Sequence, residues 1–286
     1  MDGVLLVNKE EGLTSFDVVR KIKKALNTKK VGHCGTLDPL AKGLLVVTVG
    51  KALKISRFIE GDEKEYIATI KLGERTATLD REGEIIERQE ITSFSKEDIY
   101  SVFSSLIGIT KQKPPIYSAI QVNGKRLYEY ARENVEVEIK EREIEVKELE
   151  LLEVTGNSIK YRVVCSKGTY VRVLCETIAN KLNNIGYMYD LVRTRIGKLH
   201  LSDSFTLKDI EEGKYKLIDI ESSLSNFVVL TLKDRELYKA ENGNVLDFYI
   251  EGNVLVVDEN RDTIALYEGD KDNNRLICNR VLKERG

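Results

Sequence analysis

Apolar residues are spaced along the chain in ways that predict several buried strands. Val4–Val7 is a short apolar run, and Leu44–Val49 is a longer continuous one. A continuous apolar run of that kind is typical of a strand covered on both faces. Tyr66–Leu72 alternates between apolar and polar residues, which predicts a strand with one buried face, and Tyr161–Cys165 is interpreted as a further strand.

Three segments repeat apolar residues at helical spacing instead. The first follows a capping signal formed by Thr14, Ser15 and Asp17, and the second follows Ser95. The third precedes Gly186, a residue type that suits the C-terminal end of a helix. The apolar faces predicted for these helices are, in order, Val18, Val19, Ile22, Ala25 and Leu26; Ile99, Val102, Phe103 and Leu106; and Val171, Leu174, Cys175, Ile178 and Leu182.

Residues 107–153 interrupt this regular pattern. The stretch 107–132 contains Pro114-Pro115 among tyrosines and basic residues, and we interpret it as a loop followed by a short helix. In residues 133–153, Val, Ile and Leu alternate with Glu and Lys, which is typical of an exposed β-hairpin. The sequence therefore predicts an insert near 107–153 within a larger domain.

The pattern changes again after about residue 225. Phe227–Leu232, Asn253–Val257 and Thr263–Tyr267 are short alternating segments with glycines between them, which predicts a small β-barrel or sandwich. We therefore expect one domain over residues 1–225 and a small β-rich domain over 226–286.

Composition describes a soluble globular protein. The chain has 286 residues, of which 42% are hydrophobic and 32% charged, and this length suits one large domain plus a small one. No run approaches the roughly 18 consecutive apolar residues of a membrane span, and the N-terminus lacks the pattern of a signal peptide. The expected location is the cytoplasm. With 4 cysteines, 2 histidines and no C-x-x-C pair, no zinc site is expected, and the thiols are interpreted as reduced.

The net charge of −2 conceals a basic segment near the N-terminus. Between residues 17 and 33 the single acidic residue is Asp17, and the basic residues are Arg20, Lys21, Lys23, Lys24, Lys29 and Lys30. A local patch of this kind can bind a polyanion although the whole protein is nearly neutral. The same charges also fit the solvated face of a helix, and charge by itself favours that second interpretation.

The segment HCGTLDPLAKGLL, residues 33–45, places residues that favour turns, glycine and proline, around Asp38. Asp is a preferred helix N-cap and Pro is favoured at the first helical position, so one interpretation is a short helix that starts at Asp38 and ends at Gly43. The other interpretation is that the rigid turn directs a catalytic carboxylate. The residues of this segment leave both interpretations open.

Four ordered segments give the chain a resemblance to a known family. They are VNKEEGLTSFDVV at 7–19, HCGTLDPLAKGLL at 33–45, QKPPIYSA with NGKRLYEYAR at 112–119 and 123–132, and SKGTYVRVL at 166–174. Over residues 3 to about 200 the chain resembles the bacterial TruB-type tRNA pseudouridine synthases. It departs from the family pattern at Glu10, where proline is usual, at Gln121, where lysine is common, and at Cys34, where a small residue is usual.

The resemblance implies roles for individual residues. Asp38 is the catalytic carboxylate, Arg172 pairs with it, and Tyr66 stacks on the target base. Leu191 lines the uracil pocket, and His33 supports the extruded loop of the RNA. The further positions implied to bind the substrate are Lys9, Gly35, Thr36, Tyr170, Arg126 and Arg132, with Lys113 and Lys125 as additional cations for phosphates.

The resemblance also implies a fold and an activity. The fold is α+β, with a large mixed, mainly antiparallel sheet, packed helices and a small C-terminal PUA-like β-barrel. The activity is isomerisation of uridine-55 in the T loop of tRNA to pseudouridine, by base flipping and by breakage and re-formation of the glycosidic bond. No cofactor or metal is expected, because the reaction has no redox change and no net group transfer, and the expected partner of the monomer is the tRNA T arm.

Two alternatives to this activity stay open. One is a guide-RNA-dependent pseudouridine synthase subunit that works inside a ribonucleoprotein. The other is an RNA-binding or tRNA-folding module in which catalysis is secondary.

Overall fold

One large sheet with packed helices and one smaller C-terminal sheet make up the structure, a computed structural model that describes residues 1–133 and 135–283. The helices are α1 (Ser15–Ala25), α2 (Ser56–Gly61), α3 (Lys96–Leu106), α4 (Leu127–Arg132), α5 (Val171–Lys181), α6 (Leu207–Glu211), α7 (Ile220–Ser223) and α8 (Asp234–Glu241), with 3-10 turns at Gly50–Ile55 and Leu201–Asp203. The strands are β1 (Gly3–Lys9), β2 (Val31–His33), β3 (Lys42–Val49), β4 (Lys64–Leu72), β5 (Glu74–Thr76), β6 (Ile85–Arg88), β7 (Gly108–Gln112), β8 (Gln121–Val122), β9 (Lys125–Arg126), β10 (Arg142–Thr155), β11 (Ser158–Cys165), β12 (Gly186–Ile196), β13 (Leu199–His200), β14 (Phe227–Thr231), β15 (Asn253–Val257), β16 (Thr263–Asp270) and β17 (Arg275–Val281).

The large sheet is mixed but mainly antiparallel. Its main path runs in the order β1-β3-β12-β4-β11-β10-β7, with β2 added beside β3 and β13 beside β12. The pairing of β3 with β12 is parallel, and the other pairings in this sheet are antiparallel. The predicted α+β fold with a mixed, mainly antiparallel sheet is confirmed.

The large sheet is buried on both faces where β1 and β3 lie. On one face, helices α1, α3, α5 and α6 pack against the sheet in one apolar core, to which Val18, Phe103 and Ile178 contribute. On the other face, Leu6 and Leu44 pack against Leu255 and neighbouring residues of the C-terminal sheet. The second face explains why the residues of β3 are buried almost without interruption, as the continuous apolar run predicts. Among the described residues, no helix has both the length and the apolar character that crossing a membrane requires.

The C-terminal residues form a four-stranded sheet in the order β14-β15-β16-β17. The strands predicted in this region are present, and helix α8, which the alternation did not reveal, lies between β14 and β15 along the chain. The sheet has its own small core around Tyr267 and also shares a core with the large sheet. Phe58 and Phe227 meet edge to face across this junction at 5.3 Å between ring centroids. The division at residue 225 remains a prediction.

The starts of α1 and α3 were predicted correctly, and the end of α5 was not. Thr14 with Asp17, and Ser95 with Asp98, form the capping boxes of α1 and α3. Gly186, however, does not end α5 but begins β12. A Cβ at Gly186 would lie 2.9 Å from the carbonyl oxygen of Lys71 and 3.0 Å from the Cβ of Ala179, so this glycine permits close packing rather than a helix end.

The predicted structure of residues 107–153 is wrong in two places. Gly108–Gln112 is strand β7 at the edge of the large sheet, where a loop was predicted. In place of the hairpin predicted over 133–153, residues 142–153 belong to one long strand, β10, which pairs with β7 on one side and β11 on the other. The described residues between α4 and β10 form no strand. Alternation reveals a half-exposed strand but not its partner, which is the reason for this error. Asn134, within the predicted hairpin, lies outside the described residues.

Candidate active site

A cavity of about 830 Å³ opens where the 35–38 segment, β4, the start of α5 and the insert meet. The predicted site residues that line it are Gly35, Thr36, Asp38, Tyr66, Tyr170, Arg172 and Leu191. They come from four separate stretches of the chain, so the fold brings together residues up to about 150 positions apart. A cavity of this size is in the range that accommodates a small organic ligand or a nucleotide.

Asp38 lies in a turn and not at the start of a helix. The Ala41 N–H donates to the Asp38 carbonyl at 3.1 Å, and β3 begins directly afterwards at Lys42. The helix-cap interpretation is therefore wrong, and so is the prediction that Gly43 ends a helix. Gly43 lies in β3 with a φ of 100°, and a Cβ there would lie 2.4 Å from the Arg193 carbonyl oxygen.

Arg172 holds the Asp38 carboxylate from the first turn of α5. Its Nε lies 3.1 Å from Asp38 Oδ2, and its Nη1 lies 3.5 Å from Asp80 Oδ2. The guanidinium also donates to the carbonyls of Thr78 at 3.2 Å and Tyr117 at 3.1 Å. Arg172 is only 7% exposed, so it is not a surface arginine of the helix. The planar guanidinium of Arg172 has five N–H donors, and the four oxygen acceptors around it are fixed in place. The group can therefore take only one orientation.

Asp80 is a second buried carboxylate of this network that sequence reasoning missed. It is 5% exposed, and its Oδ1 accepts from the Thr78 hydroxyl at 2.5 Å and from the Glu82 N–H at 3.1 Å. These contacts fix Asp80 in a local turn that points its other oxygen towards Arg172. Nothing in the spacing of residues 76–82 separates this aspartate from an ordinary turn residue.

Arg193 holds the backbone that precedes Asp38. It lies in β12, is 1% exposed, and donates to the carbonyls of Leu44 at 2.8 Å, Gly35 at 3.1 Å and Thr36 at 3.5 Å. Sequence reasoning also missed this residue. The available signal was its position two residues after Leu191 in the same strand, since residues i and i+2 of a strand share a face.

Lys9 and Ser15 hold the residues on either side of Asp38. The Ser15 hydroxyl donates to the Leu37 carbonyl at 3.2 Å and accepts from the Leu37 N–H at 2.9 Å. Lys9, which has no exposed surface, donates to the Pro39 carbonyl at 3.1 Å. Its ammonium also bonds to the carbonyls of Glu10 and Leu13, and burial lowers its pKa from 10.5 to about 8. Through these two residues, the segment at 7–19 supports the backbone of the segment at 33–45, which explains why both segments belong to one site.

Tyr66 and Leu191 face the cavity from neighbouring strands. Tyr66 in β4 pairs with Arg193 in β12, and Leu191 pairs with Ala68. Tyr66 is 8% exposed, and burial raises the pKa of its hydroxyl. Lys64, two residues before Tyr66, also lines the cavity, and burial lowers the pKa of its ammonium to about 8. The site therefore offers a flat aromatic ring and an apolar side chain beside the ion pair of Asp38 and Arg172.

Four predicted site residues, all among those described, do not line this cavity: Lys9, His33, Arg126 and Arg132. His33 ends β2 half-buried, and burial lowers its pKa. Arg126 and Arg132 are exposed on either side of Tyr128, which does line the cavity. Cys34 is fully buried, and burial raises its thiol pKa to about 12, so it is protonated at neutral pH. In the described part of the chain, no group of three or more His, Cys, Asp or Glu residues is placed to hold a metal ion.

Comparison with known proteins gives matches over nearly the whole chain. The family model of the TruB family pseudouridylate synthase (N terminal domain) matches residues 23–171. A tRNA pseudouridine synthase B of Geobacillus thermodenitrificans is 42% identical over 285 residues, which covers 93% of this chain and 94% of the relative. Another of Clostridium acetobutylicum is 43% identical over 237 residues and covers 82% of both chains.

Solved structures show the same fold. The crystal structure of a Cbf5-Nop10-Gar1 complex contains a chain that matches with a TM-score of 0.76 and 24% identity. The match covers 99% of this chain and 85% of that one. At this level of identity, the similarity shows the architecture of the sheet and its helices.

Proposed function

The chain belongs to the TruB family of pseudouridylate synthases, and from this premise we propose that it isomerises uridine-55 of tRNA to pseudouridine. The curated relatives of about 40% identity are named tRNA pseudouridine synthase B, and they match this chain over most of its length. The protein is an isomerase with tRNA as its substrate.

The observation that carries the proposal is the ion pair at the wall of the cavity. Asp38 and Arg172 meet at 3.1 Å, and the Asp38 side chain remains 36% exposed towards the cavity while Arg172 is almost fully buried. A carboxylate that is oriented by a permanent cation and still accessible suits a group that must reach a reacting carbon atom.

The reaction breaks one bond and forms another on the same two fragments. The bond between uracil N1 and ribose C1′ breaks, the uracil rotates, and a bond between C5 and C1′ forms. The proton leaves C5 and N1 gains one, so no electrons or atoms are exchanged with a co-reactant. Asp38 acts either as the nucleophile at C1′ or as the base of a glycal route, and both roles require its carboxylate beside the sugar.

The other residues of the cavity suit an extruded base. Taking a uridine out of a folded loop costs a few kcal/mol. Stacking on an aromatic side chain returns about 1–3 kcal/mol per base, and the Tyr66 ring is available for this contact. Leu191 supplies an apolar surface for the edge of the uracil. Recognition of RNA loops commonly combines stacking with contacts to the backbone. Arg126 and Arg132, which lie beside the cavity-lining Tyr128, can bind phosphates, as can Lys113 and Lys125 of the same insert.

The finer features of the proposal concern the partner and the location. We propose that the part of tRNA bound is the T arm, that the protein acts as a monomer, and that it works in the cytoplasm, where tRNA is modified. The C-terminal residues 226–286 are proposed as a PUA-like unit, and their net charge of −3, from 9 basic and 12 acidic residues, does not favour a broad phosphate-binding surface.

Activity on bare tRNA tests this proposal. The purified protein is incubated with an unmodified tRNA transcript, with no other protein or RNA, and pseudouridine is mapped by position. We expect product at position 55 alone. A requirement for a guide RNA or partner proteins would support the guide-dependent alternative instead.

The variant Asp38→Asn separates chemistry from binding. We expect the rate of product formation to fall by about 10³-fold or more while the affinity for tRNA is unchanged, because the carboxylate is the reacting group. Asp203→Asn, an exposed aspartate far along the chain, is the matched control and should keep full activity. Product formation by Asp38→Asn at the wild-type rate would refute the catalytic assignment and favour the binding-module alternative.

A further inference from the structure

The end of β7 and the chain that follows it contact the start of the helix that carries Arg172 at two points. The first contact is made by Gln112, the last residue of β7. Its Oε1 accepts from the Tyr170 N–H at 2.8 Å, and its Nε2 donates to the Tyr170 carbonyl at 3.2 Å. Gln112 is 8% exposed, so both ends of its carboxamide are paired in a nearly dry position. A buried amide with both ends satisfied defines one geometry for the group it binds.

Tyr170 immediately precedes Val171, the first residue of α5. It is the N-cap of this helix, and its side chain makes no capping hydrogen bond. The beginning of a helix normally gains its anchor from a Ser, Thr, Asp or Asn side chain at this position. In α5 the backbone of the N-cap residue is instead held from outside, by Gln112. Arg172 follows two residues later in the first turn, so the position of Tyr170 determines where the arginine side chain begins.

The second contact reaches the other end of the arginine. The Tyr117 carbonyl accepts from Arg172 Nη2 at 3.1 Å. Between Gln112 and Tyr117 lie Pro114 and Pro115, whose rings restrict the backbone and favour an extended, stiff segment. One short stretch of chain, QKPPIYSA, therefore fixes both the backbone origin and the guanidinium of Arg172.

We propose that Gln112 is a positioning residue for the pseudouridine synthase reaction. Its carboxamide fixes the first turn of α5, and thereby the direction from which Arg172 meets Asp38. Gln112 is not among the described residues that line the cavity, so it acts through Tyr170 and Arg172 and not on the RNA. This inference rests on the proposed function, since it assigns a role within that reaction.

The variant Gln112→Met tests the proposal, because methionine has a similar length and cannot make either hydrogen bond. Product formation is measured under multiple-turnover conditions over a range of tRNA concentrations, which gives kcat and KM, and the Kd for tRNA is measured separately. We expect kcat to fall about 10- to 100-fold, with KM and Kd unchanged, because a displacement of about 1 Å at a reacting group has that effect. Gln121→Met, an exposed glutamine of the same insert, is the matched control and should equal wild type.

A second variant guards against loss of folding. Gln112→Asn keeps an amide at the sheet edge but is too short to reach both groups of Tyr170, so it should fold and also lose kcat. The role of Gln112 would be overturned if both variants kept the wild-type kcat, or if KM rose while kcat stayed constant. It would also be overturned if kcat returned to the wild-type value at temperatures well below the melting temperature, because the loss would then reflect unfolding. Wild-type enzyme that forms no pseudouridine would refute the proposed function itself, whereas an active wild type beside fully active variants refutes only this inference.

Discussion

The Asp38 loop, residues 35–39, and the first part of the insert, residues 107–132, border the same cavity but are held in opposite ways. The carbonyls of the Asp38 loop accept hydrogen bonds from buried donors, among them Arg193, Ser15 and Lys9. The helix α4 of the insert buries one apolar residue, Leu127, and its polar contacts are mostly local.

The charges of the two regions differ in the same way. In the Asp38 loop, cations are buried and serve the backbone. In the insert, Arg126 and Arg132 are exposed, and both lie beside the Tyr128 ring, at 5.9 Å and 5.4 Å from its centroid. A reacting carboxylate gains from a scaffold that is fixed before the substrate arrives, whereas phosphate contacts need cations at the surface. The contacts of Gln112 and Tyr117 with α5 join the two regions.

Replacing Arg193 should have the largest effect, because it removes the buried support that distinguishes the Asp38 loop from the insert. Arg193→Met leaves the carbonyls of Gly35, Thr36 and Leu44 without their buried donor, so we expect the free energy of unfolding to fall by about 3–5 kcal/mol. Activity should fall with it, because the Asp38 loop loses its support. Urea denaturation and product formation measure the two effects.

Arg195→Met, in the same strand, is the matched control for this change. Its side chain is 18% exposed and pairs with Glu63 at 2.8 Å, and such a pair contributes about 1 kcal/mol or less. Equal destabilisation by the two variants would contradict the special role assigned to Arg193.

The pH dependence of stability tests the burial of Lys9. Burial lowers the pKa of its ammonium from 10.5 to about 8 in the folded protein. Between these two values the unfolded chain binds more protons than the folded one, so the free energy of unfolding rises with pH in this window. Relative to Lys9→Met, wild type should gain up to about 3 kcal/mol from pH 8 to pH 10.5, measured by urea denaturation. Parallel curves for the two proteins would show that this ammonium is not held as described, and Lys21→Met, on α1, is the lysine control.

The smallest effect is expected for a substitution in the insert, where the cations are exposed and not buried as they are around the Asp38 loop. Arg126→Ala should weaken tRNA binding and reduce the slope of log K against log salt by about 1, because one phosphate contact is lost. The melting temperature should not change, since Arg126 is exposed. Binding measured over a range of salt concentrations tests this, with Arg88→Ala as an exposed arginine outside the insert. An unchanged slope would remove Arg126 from the RNA interface.

The pattern of residues within a segment was sufficient to predict an element where that segment determines its own structure. The capping residues Thr14 and Ser95 and the continuous run at Leu44–Val49 predicted elements that the structure contains. The pattern failed where the outcome depends on a distant partner. Residues 142–153 of the predicted hairpin belong to a single strand that β7 and β11 flank. Asp38 caps no helix because β3 starts immediately after its turn.

The amino-acid sequence determined the periodic elements, the helix starts and, through its family resemblance, the residues that gather at the cavity. Only the tertiary structure decided that Arg193, Asp80 and Gln112 support those residues, and that Lys9 holds a backbone carbonyl rather than lining the cavity. The physical reason is that a hydrogen bond between residues far apart in the chain depends on the register of the sheet and on the direction of each side chain. Both are fixed by the packing of the whole molecule, and neither is encoded in any single segment.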